Sequence, residues 1–391
     1  MSEIEILNWW GRLYSRAMAD VGKLLMELIA LPSVNPAFMP QGTAGTGEAL
    51  VADYLTALAG KAGLAVELQE VFPGRHNVIA RLETRGKRKR RVMLAPHMDT
   101  VVAAPEQLRP VKRGGKIFGR GACDTKGSVA AMLTAVLEVA KKRGAAHETE
   151  IVFCAFVDEE DGQNGSRRLA RSGFKVDLAI VGEPTKLKAV TAHKGDLWLK
   201  IETRGKAAHG SKPHLGKNAV LGMCPIVEWL EGPYAKSLKK RKHWLLGNPT
   251  ISVGAIRGGT QANVVPDRCE IIIDRRTIPG ERESAVVGEL KKFLKTQDAA
   301  RLINYKQNPC LPMETDLKLP LVREFLGQLG QTEAEGVDFF CDSAVLSAAG
   351  IPCVVFGPGD IAQAHTSDEW ISVTQLERAT TILEKFLLSL P

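Results

Sequence analysis

Two histidines and a set of carboxylates stand where apolar runs of this sequence stop. His97 and Asp99 follow Val92–Ala95, Asp158-Glu159-Glu160 close the run from Glu150 to Val157, and Glu183 stands just beyond Leu178–Val181. His365 lies in Ala364-His365-Thr366-Ser367-Asp368-Glu369-Trp370, after Ile351–Phe356. Asp124 occupies a glycine-rich stretch, Gly119 to Gly127, that feeds a run rich in Ala, Leu and Met. Imidazole nitrogens and carboxylate oxygens are ligands for divalent metals. In an extended segment residues two apart point the same way, so one of His97 and Asp99 can hold a metal while the other orients it. Each residue also has an ordinary reading. A lone histidine such as His365 is more often structural, an acidic pair is usually solvated, and Asp124 near a helix start suits a cap. The glycine turn lacks the spacing of a phosphate loop. The joint placement at strand ends is the informative feature, because ligands bind at the carboxyl edge of a parallel sheet.

The elements that must position these residues alternate. Val21 to about Leu31 has helical spacing and stops at Pro32 and Pro36; Gly47–Ala62 reads as a second helix and Gly127–Arg143 as a third. Strands are expected at Ala65–Val71, Asn77–Leu82, Val92–Ala95, Glu150–Val157, Leu178–Val181 and Ile351–Phe356, with a turn over Arg85–Arg91. Strands apolar throughout, alternating with helices, indicate an α/β fold with a mostly parallel central sheet covered on both faces. Near Lys188 the pattern changes. Strands at Leu197–Thr203, Pro249–Arg257 and Arg268–Thr277, with helices at Asn218–Leu230 and Arg282–Thr296, describe a separate α+β insert with an antiparallel sheet. The expected division is a discontinuous domain, residues 1–189 and 312–391, around an inserted domain, 190–311.

Bulk properties narrow the function. At 391 residues two domains are the default, and 45% apolar with 25% charged residues is ordinary for a globular protein. No apolar run approaches the roughly 20 residues that span a bilayer. Met1–Trp10 lacks the basic-then-apolar order of a secretory signal, so a cytoplasmic location and no membrane partner are expected. The seven cysteines are widely spaced with no Cys-x-x-Cys pair, against both a disulfide framework and a thiolate metal site. The net charge of +8 sits in short runs such as Lys87–Arg91 and Lys239–Lys242, without aromatic interleaving, so no nucleic acid is expected.

Taken in order, His97-Met98-Asp99-Thr100, Gly119-Arg120-Gly121 with Asp124 and Lys126-Gly127, Asp158-Glu159-Glu160, Gly182-Glu183-Pro184, Gly205-Lys206-Ala207-Ala208-His209 and Ala364-His365-Thr366 resemble the acetylornithine deacetylase, succinyl-diaminopimelate desuccinylase and aminoacylase family of co-catalytic zinc metallopeptidases. The likeness spans roughly Val21 to Leu388. It implies a zinc-peptidase-like catalytic domain and two zinc ions per chain; cobalt or manganese also suits such donors. By that resemblance His97 and Glu183 hold one ion, Glu160 and His365 the other, and Asp124 bridges them. Asp99 orients His97 through its ring N–H. Glu159 is the general base that deprotonates a metal-bridging water and protonates the leaving nitrogen. The insert is a lid that also forms a homodimer, and His209 reaches the partner's site to stabilise the oxyanion. Asn263 and Arg276 match positions that hold a substrate carboxylate, with Arg275 as competitor, since strand alternation lets only one face the site.

Some positions depart from the family pattern. Met98 replaces a smaller or polar residue and should point away from the metals. Thr125 follows Asp124 where a second Asp is common, at a peptide bond that is often cis in the family. The Val101–Pro105 stretch shifts the customary proline, and Trp9-Trp10 lies outside the match. The expected activity is hydrolysis of the amide of a small N-acyl amino acid bearing a carboxylate. The same ligand set suits a dipeptidase or carboxypeptidase. A catalytically silent dimeric binding protein is a third reading, against which stand Glu159 and all five ligand positions.

Overall fold

The computed structural model describes residues 20–391 except 42, 44–45, 85–86, 144–146, 298–299, 306–307 and 309. Trp9 and Trp10 lie outside the described residues. The described residues divide into two compact units, one comprising residues 20–191, 315–335 and 341–391, the other 192–314 and 336–340.

The first unit is built on a sheet in the order Ala65–Phe72, Arg75–Leu82, Thr149–Ala155, Arg90–Ala95, Leu178–Val181, Cys353–Val355. The last four of these pair in parallel, and the first two form an antiparallel hairpin on the edge. Every residue of Thr149–Ala155 and Leu178–Val181 is buried, which is why these strands read as unbroken apolar runs. The helix Lys126–Lys142 is buried on nearly all sides and packs against Val21–Ala30 and the C-terminal helix Val373–Ser389. Phe153, Phe325, Phe356 and Phe386 are fully buried in this core; truncating one such side chain costs roughly 3–5 kcal/mol. Met98 is fully buried in the same core.

Local chemistry sets the element ends. Asp20 caps Val21–Ala30 by accepting the N–H groups of Gly22 at 2.9 Å and Lys23 at 3.2 Å. At the other end the fully buried Lys126 ammonium donates to the carbonyls of Leu28 at 2.9 Å and Leu31 at 2.7 Å, so a residue of the Asp124 segment seals this helix. The turn expected over Arg85–Arg91 needs correction at its end, because the strand already begins at Arg90. Arg91 is neutralised there by Glu150 at 2.5 Å and donates its N–H to Asp177 at 2.6 Å, which lets a charged residue start a central strand. A further small sheet that the periodicity does not reveal joins Val111–Arg113, Lys116–Phe118 and Trp370–Ser372. Its strands are three residues each, too short to show alternation.

The second unit is an antiparallel sheet ordered Thr250–Gly258, Arg268–Thr277, Gly195–Arg204, Ala300–Asn304. Cys269, Ile271 and Ile273 alternate with more exposed neighbours, and this face packs on the helices Ala219–Trp229 and Glu283–Leu294 through Met223, Ile226 and Leu290. The first of these helices widens into a π-helical turn at Leu230–Tyr234, which contains Pro233. All seven cysteines are free, and only Cys224 is exposed. Among the described residues no helix is long and apolar enough to cross a membrane.

Candidate metal centre

The carboxyl ends of the parallel strands bring the first unit's acidic and imidazole side chains together. Beyond Arg90–Ala95 the chain keeps pairing with the segment after Thr149–Ala155: Met98 N–H donates to Phe156 O at 2.8 Å and Phe156 N–H to Pro96 O at 2.9 Å. That pairing sets His97 beside the Asp158-Glu159-Glu160 turn. Thr125 Oγ1 donates to Gly182 O at 2.8 Å, tying the Asp124 segment to the strand end that carries Glu183. A Cβ on Gly182 would stand 2.8 Å from that of Ser128 and 3.0 Å from Pro96, so this approach requires glycine. The Asp124-Thr125 peptide is cis.

At the centre lies the Asp124 carboxylate. One oxygen is 3.2 Å from His97 Nε2 and the other 3.3 Å from His365 Nε2. His97 Nε2 also stands 3.8 Å from Glu183 and 4.0 Å from Glu159, and His365 Nε2 stands 3.2 Å from Glu160. His97, Asp124, Glu159 and Glu183 are buried, whereas the His365 side chain is 54% exposed. Among the described residues, His97, Asp124 and Glu160 offer ligand atoms that all lie within 4.8 Å of one another. Consecutive residues reach one cluster only if the chain turns sharply, and Asp158 supplies the turn with φ 67°. Its strained backbone is held from several sides. Glu48 accepts the Asp158 N–H at 3.1 Å, while the Asp158 carboxylate takes Asn35 Nδ2 at 3.1 Å, Arg75 at 3.3 Å and Asn164 Nδ2 at 2.7 Å.

Asp99 differs in part from the role expected of it. The His97 Nδ1 lies 3.0 Å from the Asp99 backbone carbonyl and 3.5 Å from its carboxylate. The carboxylate accepts chiefly from the N–H groups of Glu159 at 3.0 Å and Glu160 at 3.1 Å and from Asn35 Nδ2 at 2.8 Å.

The electrostatics are those of crowded carboxylates sharing imidazoles. Burial pushes the Glu159 and Glu183 carboxyls well above their ordinary range, only partly countered by His97. Burial and the Asp124 charge raise Glu160 to about 7. Contacts with Asp124 and Glu160 raise His365 to about 10. Burial opposes charge on His97, yet Asp124 and Asp99 hold its pKa well above the usual 6.5. Burial likewise opposes charge on Asp124, yet the two imidazoles keep it below the usual carboxylate range. Burial thus favours the protonated forms of Glu159 and Glu183, while Asp124 stays ionised between two imidazoles that favour charge, a compensation that divalent cations would replace. Among the described residues, the buried Oε1 of Glu160 finds no hydrogen-bond partner. This donor set and its orphaned oxygen fit metal ions.

Three residues that the sequence does not single out belong to this neighbourhood. Asn35 joins Asp99 to Asp158. Asp342, fully buried and raised to about 7 by burial, is held by Ser166 at 2.5 Å, and its other oxygen meets no hydrogen-bond partner among the described residues. Glu369 accepts the Asp124 N–H at 3.0 Å. No local signal marks Asn35 or Asp342; Glu369 at least sits in the His365 motif.

The remaining expected residues lie in the second unit. His209 and Asn263 are exposed and on adjacent strands of chain: His209 bridges Val264, and Gly210 N–H donates to Asn263 O at 2.7 Å. Ser211 Oγ lies 2.7 Å from His209 Nδ1. Arg275 is fully buried and paired with Glu281 at 2.6 Å. Arg276, partly exposed, holds its fork on Asp274 at 2.8 and 2.9 Å.

Residues 93–389 match the sequence pattern of peptidase family M20/M25/M40. An acetylornithine deacetylase of Vibrio campbellii is 31% identical over 384 residues, 94% of this chain and 97% of that one. A protein of Aspergillus clavatus named a probable carboxypeptidase is 32% identical over 360 residues, 82% of this chain and 80% of that one. Among solved structures, the Bacillus subtilis protein described as a dinuclear metal binding peptidase from the M20 family superposes with a TM-score of 0.69 at 15% identity, covering 96% of this chain and 98% of that one. This last likeness is one of fold.

Proposed function

The chain belongs to peptidase family M20/M25/M40, a family of metal-dependent hydrolases, and from that premise we propose that it cleaves the amide bond of a small N-acyl amino acid carrying a free carboxylate. The observation that carries the reading is the Asp124 carboxylate, with one oxygen facing His97 and the other His365. His97 and Glu183 would hold one zinc ion, Glu160 and His365 a second, with Asp124 shared between them. When bound, the ions supply Lewis acidity towards the scissile carbonyl and the attacking water.

The protein's own groups do the rest. Glu159 takes a proton from the water and passes it to the leaving nitrogen. Burial raises its proton affinity, so it can hold that proton between the two steps. Its backbone is fixed by Asp99, which limits the positions its carboxylate can sample. Arg276, with Asn263, binds the substrate carboxylate through its guanidinium fork. His209 stabilises the oxyanion of a partner subunit's site, in a homodimer formed through the second unit. The setting is the cytosol.

Peptidase action is the second reading, supported by the carboxypeptidase name of the Aspergillus relative. A panel of N-acetylornithine, N-succinyl-diaminopimelate, other N-acyl amino acids and dipeptides, run with metal analysis, separates the two. Turnover of acylated amino acids above dipeptides supports deacylation. Preference for dipeptides moves the assignment to the peptidase. No turnover of any of them with two ions bound removes both.

A further inference from the structure

Glu369 lies four residues beyond His365, yet its side chain reaches the segment that carries Asp124. Its side chain is fully buried, and four donors converge on it. One oxygen accepts the N–H groups of Cys123 at 2.8 Å and Asp124 at 3.0 Å. The other accepts the N–H of Gly121 at 3.1 Å and Arg120 Nη1 at 2.8 Å. The Glu369 carbonyl also takes the Gly119 N–H at 3.0 Å, and the next residue, Trp370, pairs opposite Phe118. Gly121 holds φ 82° inside this wrap, where a Cβ would meet Lys126 and Thr100 at 3.0 Å. One acidic side chain therefore shapes the loop from Gly119 to Asp124.

The contact closes a ring. From His365 the chain runs to Glu369, Glu369 holds the Asp124 backbone, and the Asp124 carboxylate returns to His365 Nε2 at 3.3 Å. His365 needs such a brace: its side chain is half exposed and its φ is 62°. Gln107 supplies a lesser one by donating to the carbonyls of Thr366 at 3.3 Å and Ser367 at 3.1 Å. His97 and Glu183 are braced differently, by the ends of two central strands. A neutral amide at 369 would keep the shape but turn one acceptor into a donor facing N–H groups or Arg120.

We propose that Glu369 is a positioning residue that sets the separation of Asp124 and His365, and so chiefly the affinity of the cation position formed with Glu160, with a smaller effect on the position at His97 and Glu183, which shares Asp124. This rests on the dinuclear reading of the site.

The test is stepwise zinc titration of the metal-free full chain by calorimetry against a competing chelator, with cobalt absorption as a second readout. In Glu369→Gln one of the two binding steps should weaken by about 10- to 100-fold, the range seen when partners of metal ligands are removed, while the other stays within about twofold. Glu369→Asp, which keeps the charge but shortens its reach, should fall between. Equal loss at both steps, or none, would overturn the proposal. So would failure of both variants to fold by circular dichroism, which would make Glu369 a folding determinant. Fewer than two ions in the wild-type chain would remove the dinuclear reading and this inference with it. Two ions there and unchanged affinities in the variants would remove this inference alone.

Discussion

The Asp99 carboxylate accepts the backbone N–H of Glu159 at 3.0 Å, so the residue that follows His97 by two positions also fixes the proposed base. The same carboxylate takes the Glu160 N–H and Asn35 Nδ2, which makes it a hub for three segments of chain. Asp99→Ala should therefore lower kcat even when metal is saturating, by about 100-fold or more, and weaken metal binding by about 10- to 100-fold. Full kcat recovery by added zinc would reduce Asp99 to an orienter of His97 alone.

Glu159→Gln keeps the size of the side chain and removes its basicity. Hydrolysis should fall by about 100- to 10,000-fold, with two ions still bound per chain by elemental analysis. Unchanged turnover would exclude Glu159 as the base.

Arg275 and Arg276 should separate cleanly. Arg276→Lys loses the planar fork and should raise KM about 10-fold for a carboxylate substrate, with unfolding unaltered. Arg275→Met leaves Glu281 without its closest partner and should lower stability by about 3 kcal/mol in urea denaturation. A KM effect confined to Arg275 would reverse the assignment.

If His209 acts across a dimer, inactive His209→Ala chains mixed with inactive Glu159→Gln chains should regain part of the activity, because some mixed dimers hold one intact site. Heterodimers shown to form but inactive would refute the cross-subunit role.

His193 gives a pH signature of stability. Burial lowers its pKa from 6.5 to about 4, with Nδ1 at 2.8 Å from Lys194 O. Between those values the unfolded chain binds the proton and the folded one does not. The contribution is therefore complete above about pH 6.5 and is lost as pH falls towards about 4, amounting to roughly 3 kcal/mol. His193→Gln should flatten the rise of the urea midpoint between pH 4 and 6.5 relative to wild type; an identical slope would contradict this.

The parallel strands and the residues at their ends were legible in the sequence because both signals are local. An apolar run that stops on His or Glu announces a buried strand and the polar edge beyond it. The turn ending at Arg91 misled for the opposite reason, since the charge tolerated at that strand start is cancelled by Glu150, and its backbone N–H is taken by Asp177, both distant in sequence.

What the sequence marked by itself is a set of candidate donors, His97, Asp124, Glu159, Glu160, Glu183 and His365, placed at or after strand ends or in a glycine turn. Only the tertiary structure decided how those donors are held. Asn35 meets Asp99 and Asp158 across 64 and 123 residues, and Glu369 meets Asp124 across 245. It also decided between Arg275 and Arg276 as the more exposed guanidinium, since alternation says that they face opposite ways but not which face is packed. The physical reason is the same in each case. A hydrogen bond from a carboxylate to a distant backbone leaves no periodic trace, and every acidic loop residue looks alike until packing withdraws it from water.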